Sequence, residues 1–535
     1  MKRVAAISVI SIAIVCCFAV WKRGGSPSAD TNSDTIIVNL NEMKLIGSVN
    51  ERFQSYNVEM VEVVGGEFWR PYKSMDSLPS AKAASSYDVS QKNEQMYRKL
   101  SPINLADKRL LNLAKGLAPA YVRVSGTWAN AIYFQDNDSP HVAKAPEGFV
   151  NILTKNEWKG VIDFLKATNG KLITSFAVSN GVRDINGIWT PIEAEKMVRY
   201  TKSQGGSIAG AELFNEPSIP NAGGAINKNY NATNFAKDIA VFRTWAKKEV
   251  PGMLLIGPGS VMEGMPGLSV SKIMKGFLST DSLMTAEPQP QFDVFSYHYY
   301  GAVSRRMATA GPMSVKAENA LTPEWLQRTE TVADYYMGLR DKYLPGKPVW
   351  VTETAEAAAG GDPFAATWLD CFRYLYQLGT LAKKGVQVVM HNTLAASEYS
   401  LIDQDTHLPK PNYWAALLWA RLMGTEVYEA GKGVPGAYLF AHNLKGDKNG
   451  KTLLVINTNQ QSATIHIPSD AEQYTLTSTE LQGNTVLLNG QELKLNNNDL
   501  LPAITGRKIK AGNVELPSTS ISFITFNYTG SKKSN

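Results

Sequence analysis

Short runs of apolar, mainly β-branched residues alternate with amphipathic stretches between residues 55 and 425. Their starts lie about 47 residues apart, which is the length of one strand, one helix and their loops. Continuously apolar runs of this kind are typical of parallel strands that are buried on both faces. The eight predicted strands are 58–64, 120–124, 171–176, 208–214, 253–256, 292–297, 348–352 and 386–390. The pattern therefore predicts an α/β fold, a (β/α)8 or TIM barrel.

The pattern changes after about residue 429. Five short segments with alternating polarity follow, separated by Asn, Gly, Asp and Gln, and they indicate an all-β module: 437–442, 452–458, 463–467, 485–488 and 520–526. A single strand at 35–40 precedes the barrel and is expected to join that module. The predicted organisation has a strand contributed to a β-sandwich at 35–48, the (β/α)8 barrel at 49–428 and the appended β-sandwich domain at 429–535.

The first 34 residues have the pattern of a leader. Lys2 and Arg3 precede an uncharged run of 18 residues, 4–21, and Lys22 and Arg23 follow it directly. That length lies between the core of a signal peptide and a membrane-spanning helix. The sequence therefore predicts export, with either a cleaved signal peptide or an N-terminal membrane anchor, followed by a polar tether.

Composition excludes several classes of protein. Hydrophobic residues make up 44% and charged residues 19% of the 535 residues, which is typical of a globular protein and not of a disordered chain, a polytopic membrane protein or a coiled coil. A net charge of +6 over this length predicts no nucleic-acid partner. Only Cys371 lies outside the leader, in a predicted helix, so we expect a buried thiol and no intrachain disulfide in the body of the chain.

Two glutamates follow apolar strands directly. Glu216 comes after the fourth predicted strand in the sequence ELFNEP, and Glu353 ends the seventh in the sequence VWVTE. In a barrel of this kind both carboxylates would face the C-terminal mouth. Opposed carboxylates about 5–5.5 Å apart are what retaining cleavage of a glycosidic bond requires. Each glutamate taken alone is more often a solvated loop residue, but their joint position at the two strand ends favours glycosidase chemistry.

Other strand ends carry polar or aromatic groups. The sixth predicted strand ends with His298, Tyr299 and Tyr300, which would place an imidazole and a phenol beside the carboxylates. No glycine-rich phosphate loop is present and the six histidines lack metal-ligand spacing, so neither a cofactor nor a metal is predicted.

These motifs, taken together, resemble the heparanase-like glycoside hydrolases, glycoside hydrolase family 79. The resemblance rests on the stretches LLNLAKGLAPAYVRVSGT (110–127), AELFNEP (211–217), FDVFSYHYY (292–300), GKPVWVTETAEAAAGG (346–361) and YSLIDQDTHLPKPNYWAALLWARLMGT (399–425). It implies a retaining β-glycosidase that cleaves β-glucuronides or other glycans containing uronic acid. It also implies a β-sandwich built from the C-terminal segment and one strand before the barrel.

The resemblance also implies roles for individual residues. Glu216 matches the acid/base and Glu353 the nucleophile, and Asn215 would bind the hydroxyl next to the reacting carbon. Tyr399 matches a tyrosine that contacts the uronate carboxylate, and Gly360 a backbone donor to the same group. The other matched positions flank the nucleophile or bind sugar, and they are His298, Tyr300, Glu59 and Thr127.

One departure from the family pattern bears on the sugar. The family usually has a tyrosine five residues after the nucleophile, where this chain has Ala358. Glu356 adds an acidic group nearby, which we expect to face solvent or to form a salt bridge. The chemistry therefore also fits a neutral sugar, and a non-catalytic carbohydrate-binding protein is a further alternative on the same scaffold.

Overall fold

A closed barrel of eight parallel strands forms the centre of the protein. The computed structural model describes residues 35–72, 96–139, 142, 144–223, 226–265, 270, 274–307 and 313–527. Each barrel strand pairs in parallel with the next one along the chain, and the eighth pairs with the first. In chain order, strands one to eight are Gln54–Glu59, Ala120–Ser125, Gly170–Ser175, Ile208–Glu212, Leu254–Ser260, Val294–Val303, Val349–Ala358 and Val388–His391.

The predicted barrel is confirmed, and all eight predicted strands overlap the observed ones, although the first overlaps only at residues 58 and 59. The first strand is Gln54–Glu59, and Met60–Val64 is a short helix. Glu59 and Glu62 form a capping box, in which the Glu62 carboxylate accepts the Glu59 backbone N–H at 2.7 Å. Val61 and Val63 are buried in this helix, because tertiary packing overrides their preference for strands.

Helices cover the barrel in the order expected for strand–helix units. The bounds of the described α-helices are Met60–Val64, Lys108–Gly116, Lys155–Ala167, Ile192–Ser203, Ala232–Glu249, Thr280–Thr285, Pro323–Leu326, Arg328–Tyr343, Trp368–Lys383 and Pro411–Leu422. Cys371 is a buried free thiol on the helix Trp368–Lys383, as predicted. None of the helices in the described ranges is long and apolar enough to cross a membrane. The predicted leader lies outside those ranges.

The barrel interior changes from apolar to polar along its axis. Tyr121, Ile173, Ile256, Trp350 and Met390 form one of the buried apolar clusters. Side chains two and four residues further along a strand point to the same face, so polar groups follow this layer toward the C-terminal ends of the strands. The apolar layer closes one end of the barrel, and the chemistry-bearing side chains line the other.

A β-module accompanies the barrel, and its strands pair antiparallel except for Ile36–Ile37, which pairs in parallel with Ala463–Ile467. Its larger sheet has nine strands, which are Leu45–Ser48, Met423–Tyr428, Ala437–Leu444, Asp447–Asn457, Ser520–Phe526, Ala471–Thr477, Leu487–Leu488, Gln491–Glu492 and Arg507–Ile509. A three-stranded sheet contains Ile36–Ile37, Ala463–Ile467 and Gly512–Leu516. Two small sheets pair Gly66–Trp69 with Tyr97–Leu100 and Ile132–Gln135 with Asn151–Thr154. The sequence predicted a single strand before the barrel, at 35–40, whereas the structure has two, and both belong to the module.

The larger sheet is buried on both faces. Leu454 and Ile456 join the core that the barrel helices share, whereas Leu453 and Val455 pack with the residues of the three-stranded sheet. The described residues accordingly form one compact unit. Met423–Tyr428 already belongs to the larger sheet, although it lies inside the predicted barrel span, and the division at residue 429 stays a prediction.

Candidate active site

Arg123 lies at the centre of the polar layer. Its guanidinium is fully buried on barrel strand two and donates to Glu212 Oε2 from Nε at 3.0 Å and from Nη2 at 2.8 Å. Nη1 donates to Glu353 Oε2 at 2.8 Å, and Nη2 donates to Asn215 Oδ1 at 2.7 Å. One arginine therefore fixes groups from strands four and seven relative to each other.

Glu212 is the buried anion that matches this cation. Its Oε1 accepts hydroxyl hydrogen bonds from Ser296 at 3.1 Å and from Thr352 at 2.7 Å. Burial alone would raise the pKa of Glu212, but Arg123, His298 and the Thr352 bond outweigh it and lower that pKa. Glu212 is thus a fixed negative charge below the mouth of the barrel.

Glu216 and Glu353 converge on His298. The His298 ring atom Nδ1 is 3.1 Å from Glu216 Oε1 and 3.8 Å from Glu353 Oε2. The ligand atoms of all three residues lie within 4.8 Å of one another. This separation fits the short carboxyl spacing of a retaining glycosidase and is too small for the 6.5–9.5 Å spacing of an inverting one.

A β-bulge brings Glu353 into the barrel. Tyr297 pairs with Val351 and His298 with Glu353, so Thr352 is an extra residue on strand seven. The bulge lets Thr352 reach Glu212 while the adjacent Glu353 reaches Arg123, although neighbouring strand residues normally face opposite ways.

Hydrogen-bond donors occupy both oxygens of Glu353. Tyr300 Oη donates to Oε1 at 2.6 Å, while Arg123 donates to Oε2. Asn392, just after strand eight, donates to the hydroxyls of Tyr300 at 3.0 Å and Tyr399 at 3.2 Å. Burial and the Glu353 charge raise the pKa of Tyr300 well above 10, so its phenol keeps the proton that it donates.

Glu216 has the environment of a proton donor. Burial and the Glu353 charge raise the pKa of Glu216, although the His298 hydrogen bond lowers it in part. Burial alone would lower the pKa of His298, but the nearby carboxylates raise it. Glu216 also has a left-handed backbone, with φ of +56°, which is uncommon for a residue with a side chain and is characteristic of functional turns.

Glu59 lies beside these groups at the end of strand one. Burial, and then the Glu353 charge, raise its pKa well above the ordinary value. It packs against the next strand end so closely that a Cβ on Gly126 would lie 1.6 Å from Glu59 Oε2. Thr127 follows as the first residue of a 3-10 helix and is half-buried. Among the described residues, no hydrogen bond joins Thr127 to Glu216 or Glu353.

Gly360 and Tyr399 are brought together beside this cluster. Gly360 lies in a turn after strand seven with φ of +87°, and Tyr399 packs on the adjacent Gly361. Tyr399 is buried, its ring centroid is 6.4 Å from that of Tyr300, and its hydroxyl shares Asn392 with Tyr300. The two predicted carboxylate-binding positions therefore adjoin the Glu216–Glu353 pair.

The prediction for Glu356 was wrong, because this side chain neither faces solvent nor forms an ion pair in the described residues. It is fully buried and accepts the Asp362 backbone N–H at 2.9 Å through Oε2. Burial, and then the charges of Asp362 and Asp370, raise its pKa well above the ordinary value. Asp370 and Arg373 lie on the helix Trp368–Lys383, so Glu356 is directed toward that helix and not toward the mouth.

The donor set of the cluster suits proton transfer better than a metal. Glu216, His298 and Glu353 have the spacing of a three-ligand cation site. A cation there would lie next to the Arg123 guanidinium, which already occupies Glu353 Oε2. The resulting charge repulsion disfavours metal binding.

Sequence reasoning missed three residues that organise the site. Arg123 and Glu212 are charged residues within otherwise apolar strands, and that placement was a usable signal because such charges are rarely buried without partners. Asn392 gave no such signal, since it is a polar residue in a loop-like segment far along the chain from Tyr300.

The chain matches a known enzyme family. The model of the N-terminal domain of glycosyl hydrolase family 79 matches residues 76–379, more than half of the chain. The chain belongs to this family. It is therefore a glycoside hydrolase, as the motifs implied.

Relatives of similar length support this assignment. Heparanase from Bos taurus is 27% identical over 480 residues, which cover 78% of this chain and 84% of that protein. Hyaluronoglucuronidase from Hirudo nipponia is 25% identical over 462 residues, which cover 78% of this chain and 89% of that protein. A solved structure of a 4-O-α-L-rhamnosyl-β-D-glucuronidase from Fusarium oxysporum has a TM-score of 0.60 at 14% identity, covering 92% of this chain and 100% of that one, and it supports the fold.

Proposed function

We propose that this protein is a retaining β-glycosidase that cleaves β-glucuronides or uronic-acid-containing glycans. The observation that carries the proposal is the convergence of Glu216 and Glu353 within 4.8 Å, with His298 between them. That distance allows one carboxylate to attack a sugar carbon while the other reaches the leaving oxygen. The relation of this chain to heparanase and to hyaluronoglucuronidase supports a uronic acid as the sugar.

In the first step Glu353 attacks the anomeric carbon and Glu216 gives its proton to the glycosidic oxygen. The bond to the leaving group breaks, and a covalent ester joins the sugar to Glu353. Arg123 and Tyr300 orient the nucleophile through its two oxygens. Asn215, whose Oδ1 is held by Arg123, keeps its amide N–H groups for the adjacent sugar hydroxyl.

In the second step Glu216 changes from a general acid to a general base. Once Glu353 is esterified, its negative charge no longer raises the pKa of Glu216. Glu216, now ionised, takes a proton from water, and the water oxygen displaces Glu353 from the anomeric carbon. Two inversions leave the sugar with its original configuration.

The sugar is tested by comparing turnover of aryl β-glucuronide, β-glucoside and β-xyloside. We expect the highest kcat/KM for the glucuronide. Tyr399 and the Gly360 turn, the positions matched to uronate binding, lie beside Glu216 and Glu353, where they could contact the carboxylate of the bound sugar. A preference for the glucoside or the xyloside would contradict uronate specificity, and it would favour the neutral-sugar alternative that Ala358 suggests.

The roles of Glu216 and Glu353 are distinguished by how the turnover of each variant depends on the leaving group of the substrate. Glu353→Gln should remove nearly all turnover of every substrate. Glu216→Ala should reduce turnover of poor leaving groups far more than that of activated aryl groups, which need little protonation. An equal loss for both kinds of leaving group would contradict the acid role of Glu216.

We also infer that the chain is exported, on the strength of the apolar run 4–21 behind Lys2 and Arg3. The expected result of fractionating the native cells is protein outside the cytosol, cleaved or anchored by its leader. N-terminal sequencing that finds cytosolic protein beginning at Met1 would contradict export.

A further inference from the structure

Arg306 is a buried arginine that connects four loops at the mouth of the barrel. It follows strand six, and its Nε donates to the Arg70 carbonyl at 3.1 Å in the loop after strand one. Its Nη1 donates to the Gly361 carbonyl at 2.6 Å and to the Ala359 carbonyl at 3.3 Å, both after strand seven. Its Nη2 lies 3.4 Å from Glu398 Oε1, after strand eight.

The turn that Arg306 holds has little freedom. A Cβ on Gly360 would lie 2.8 Å from Trp69 Cβ and 3.0 Å from Arg306 Nη1. The Gly360 carbonyl accepts the Glu398 backbone N–H at 3.1 Å, and the Gly361 N–H donates to the Ala357 carbonyl at 3.1 Å. The turn is therefore tied to its neighbours on several sides.

Arg306 determines where the Gly360 N–H points. In a planar trans peptide the C=O and N–H are directed oppositely. The Ala359 carbonyl is directed at Arg306, so the Gly360 N–H of the same peptide points away from the guanidinium. Among the described residues no group accepts that N–H, although almost all buried backbone donors are bonded.

The Gly361–Asp362 peptide has the same orientation relative to Arg306, and here the N–H has an acceptor. The Gly361 carbonyl is directed at Arg306, and the Asp362 N–H points the other way and donates to Glu356 Oε2 at 2.9 Å. Arg306 and Glu356 thus hold the turn from opposite sides. Arg306 lies outside the stretches on which the resemblance rests, and the turn begins directly after Ala358, where the family usually has a tyrosine.

Arg306 places a buried positive charge at this turn, which Glu398 balances in part at 3.4 Å. Arg306 lies close enough to Tyr399 to lower the Tyr399 pKa in part, against the larger effect of burial. Its guanidinium stacks on the Tyr72 ring, 4.0 Å from the centroid, which keeps water from that face. A carboxylate between the Gly360 N–H and the Tyr399 hydroxyl would therefore be near a buried guanidinium whose charge Glu398 offsets only in part.

We propose that Arg306 is a positioning residue for uronate specificity: it fixes the Ala359–Gly361 turn so that the Gly360 N–H is directed at the carboxylate of the bound sugar. The proposal rests on the proposed function. Within it, the oriented Gly360 N–H would compensate for the tyrosine hydroxyl that is missing at Ala358. Arg306 acts through the turn and does not bind the sugar itself.

The test is the ratio of kcat/KM for 4-nitrophenyl β-glucuronide to that for the β-glucoside. Arg306→Met should lower this ratio by about 10- to 100-fold, mainly through KM for the glucuronide, since a hydrogen bond to a charged group is worth that much in binding. Arg306→Lys keeps the positive charge but loses the planar guanidinium with its several N–H donors. The kcat/KM ratio of this variant should therefore lie between those of the wild type and the Met variant.

Arg98→Met is the matched control, because it removes the same charge from a partly exposed side chain paired with Asp405. Its ratio should equal that of the wild type. Unfolding midpoints are measured for all variants, and if Arg306→Met does not fold, a lowered ratio in Arg306→Lys supports the proposal.

An unchanged ratio in the folded Arg306 variants, whatever the absolute loss, would overturn the role of Arg306. A wild-type enzyme that prefers the glucoside would instead overturn the proposed uronate specificity. The two failures are therefore distinguishable.

Discussion

At the scale of single residues, Arg123 forms ion pairs with two buried glutamates at once. It neutralises Glu212 and Glu353, which are both buried, and removing it would leave these two carboxylates without their cation. We expect Arg123→Met to lower the free energy of unfolding by about 3–5 kcal/mol. Urea denaturation measures this change.

Arg123→Lys is the matched variant for this prediction. It keeps one positive charge but cannot reach Glu212, Asn215 and Glu353 together, so it should recover stability in part and activity very little. A Met variant as stable as the wild type would show that the network contributes nothing to folding.

Glu62 should make stability depend on pH. Burial raises its pKa from 4.5 to about 8, so the folded protein favours its protonated form. Stability from this group is fully present below pH 4.5 and is lost as the pH rises through about 8. The shift corresponds to roughly 5 kcal/mol across that range, at about 1.4 kcal/mol for each pKa unit.

Glu62→Gln should therefore flatten the fall in unfolding free energy between pH 5 and 8, because the amide keeps the bond to the Glu59 N–H without ionising. Glu318→Gln, at an exposed position, should leave the slope unchanged. Equal slopes in the wild type and Glu62→Gln would refute the buried protonated state.

Residue identity at strand ends made part of the site predictable. Glu216 and Glu353 follow legible apolar strands, so the barrel topology alone implied their convergence. The Arg306 turn could not be inferred, because it joins residues from four separate loops whose contacts depend on the closed barrel. Glu356 was misjudged because an acidic residue is rarely buried without a cation.

At the scale of elements, the helix Trp368–Lys383 docks on the larger sheet through a glycine. A Cβ on Gly379 would lie 2.3 Å from Phe440 Cγ, so the two elements approach too closely for a larger residue. Gly379→Ala should destabilise the protein by about 1–3 kcal/mol through overpacking, although alanine is the better helix former.

A double-mutant cycle isolates this contact. Phe440→Ala alone should cost about 3–5 kcal/mol, and the combination with Gly379→Ala should cost less than the sum, because the new methyl group enters the space of the lost ring. Strict additivity in unfolding free energy would show that the two side chains do not meet.

The strands were the most predictable elements. Continuous apolar runs located seven barrel strands, because burial on both faces leaves this mark on the sequence, but strands six and seven extend six residues beyond their predicted ends. The first strand was displaced because the valines at 61, 63 and 64 have strand propensity but lie in a helix that Glu62 caps. The bulge at Thr352 left no sequence signal, since it is a matter of register between two strands.

At the scale of the whole molecule, the closed ring of strands converts separation along the chain into proximity. Glu216 and Glu353 are 137 residues apart in sequence and within 4.8 Å in space. The β-module shares a continuous core with the barrel helices, so it stabilises the scaffold on which that proximity depends. The repeated strand–helix pattern made this architecture predictable, whereas the exact extent of each sheet required the pairing of strands distant in sequence.

Trapping of the covalent intermediate tests the central claim most directly. A 2-deoxy-2-fluoro-β-glucuronyl fluoride should react quickly and hydrolyse slowly, and mass spectrometry of the digested protein should find one sugar on the peptide containing Glu353. An intact, fully active enzyme with no adduct, or an adduct on another residue, would contradict the assignment of Glu353 as the nucleophile.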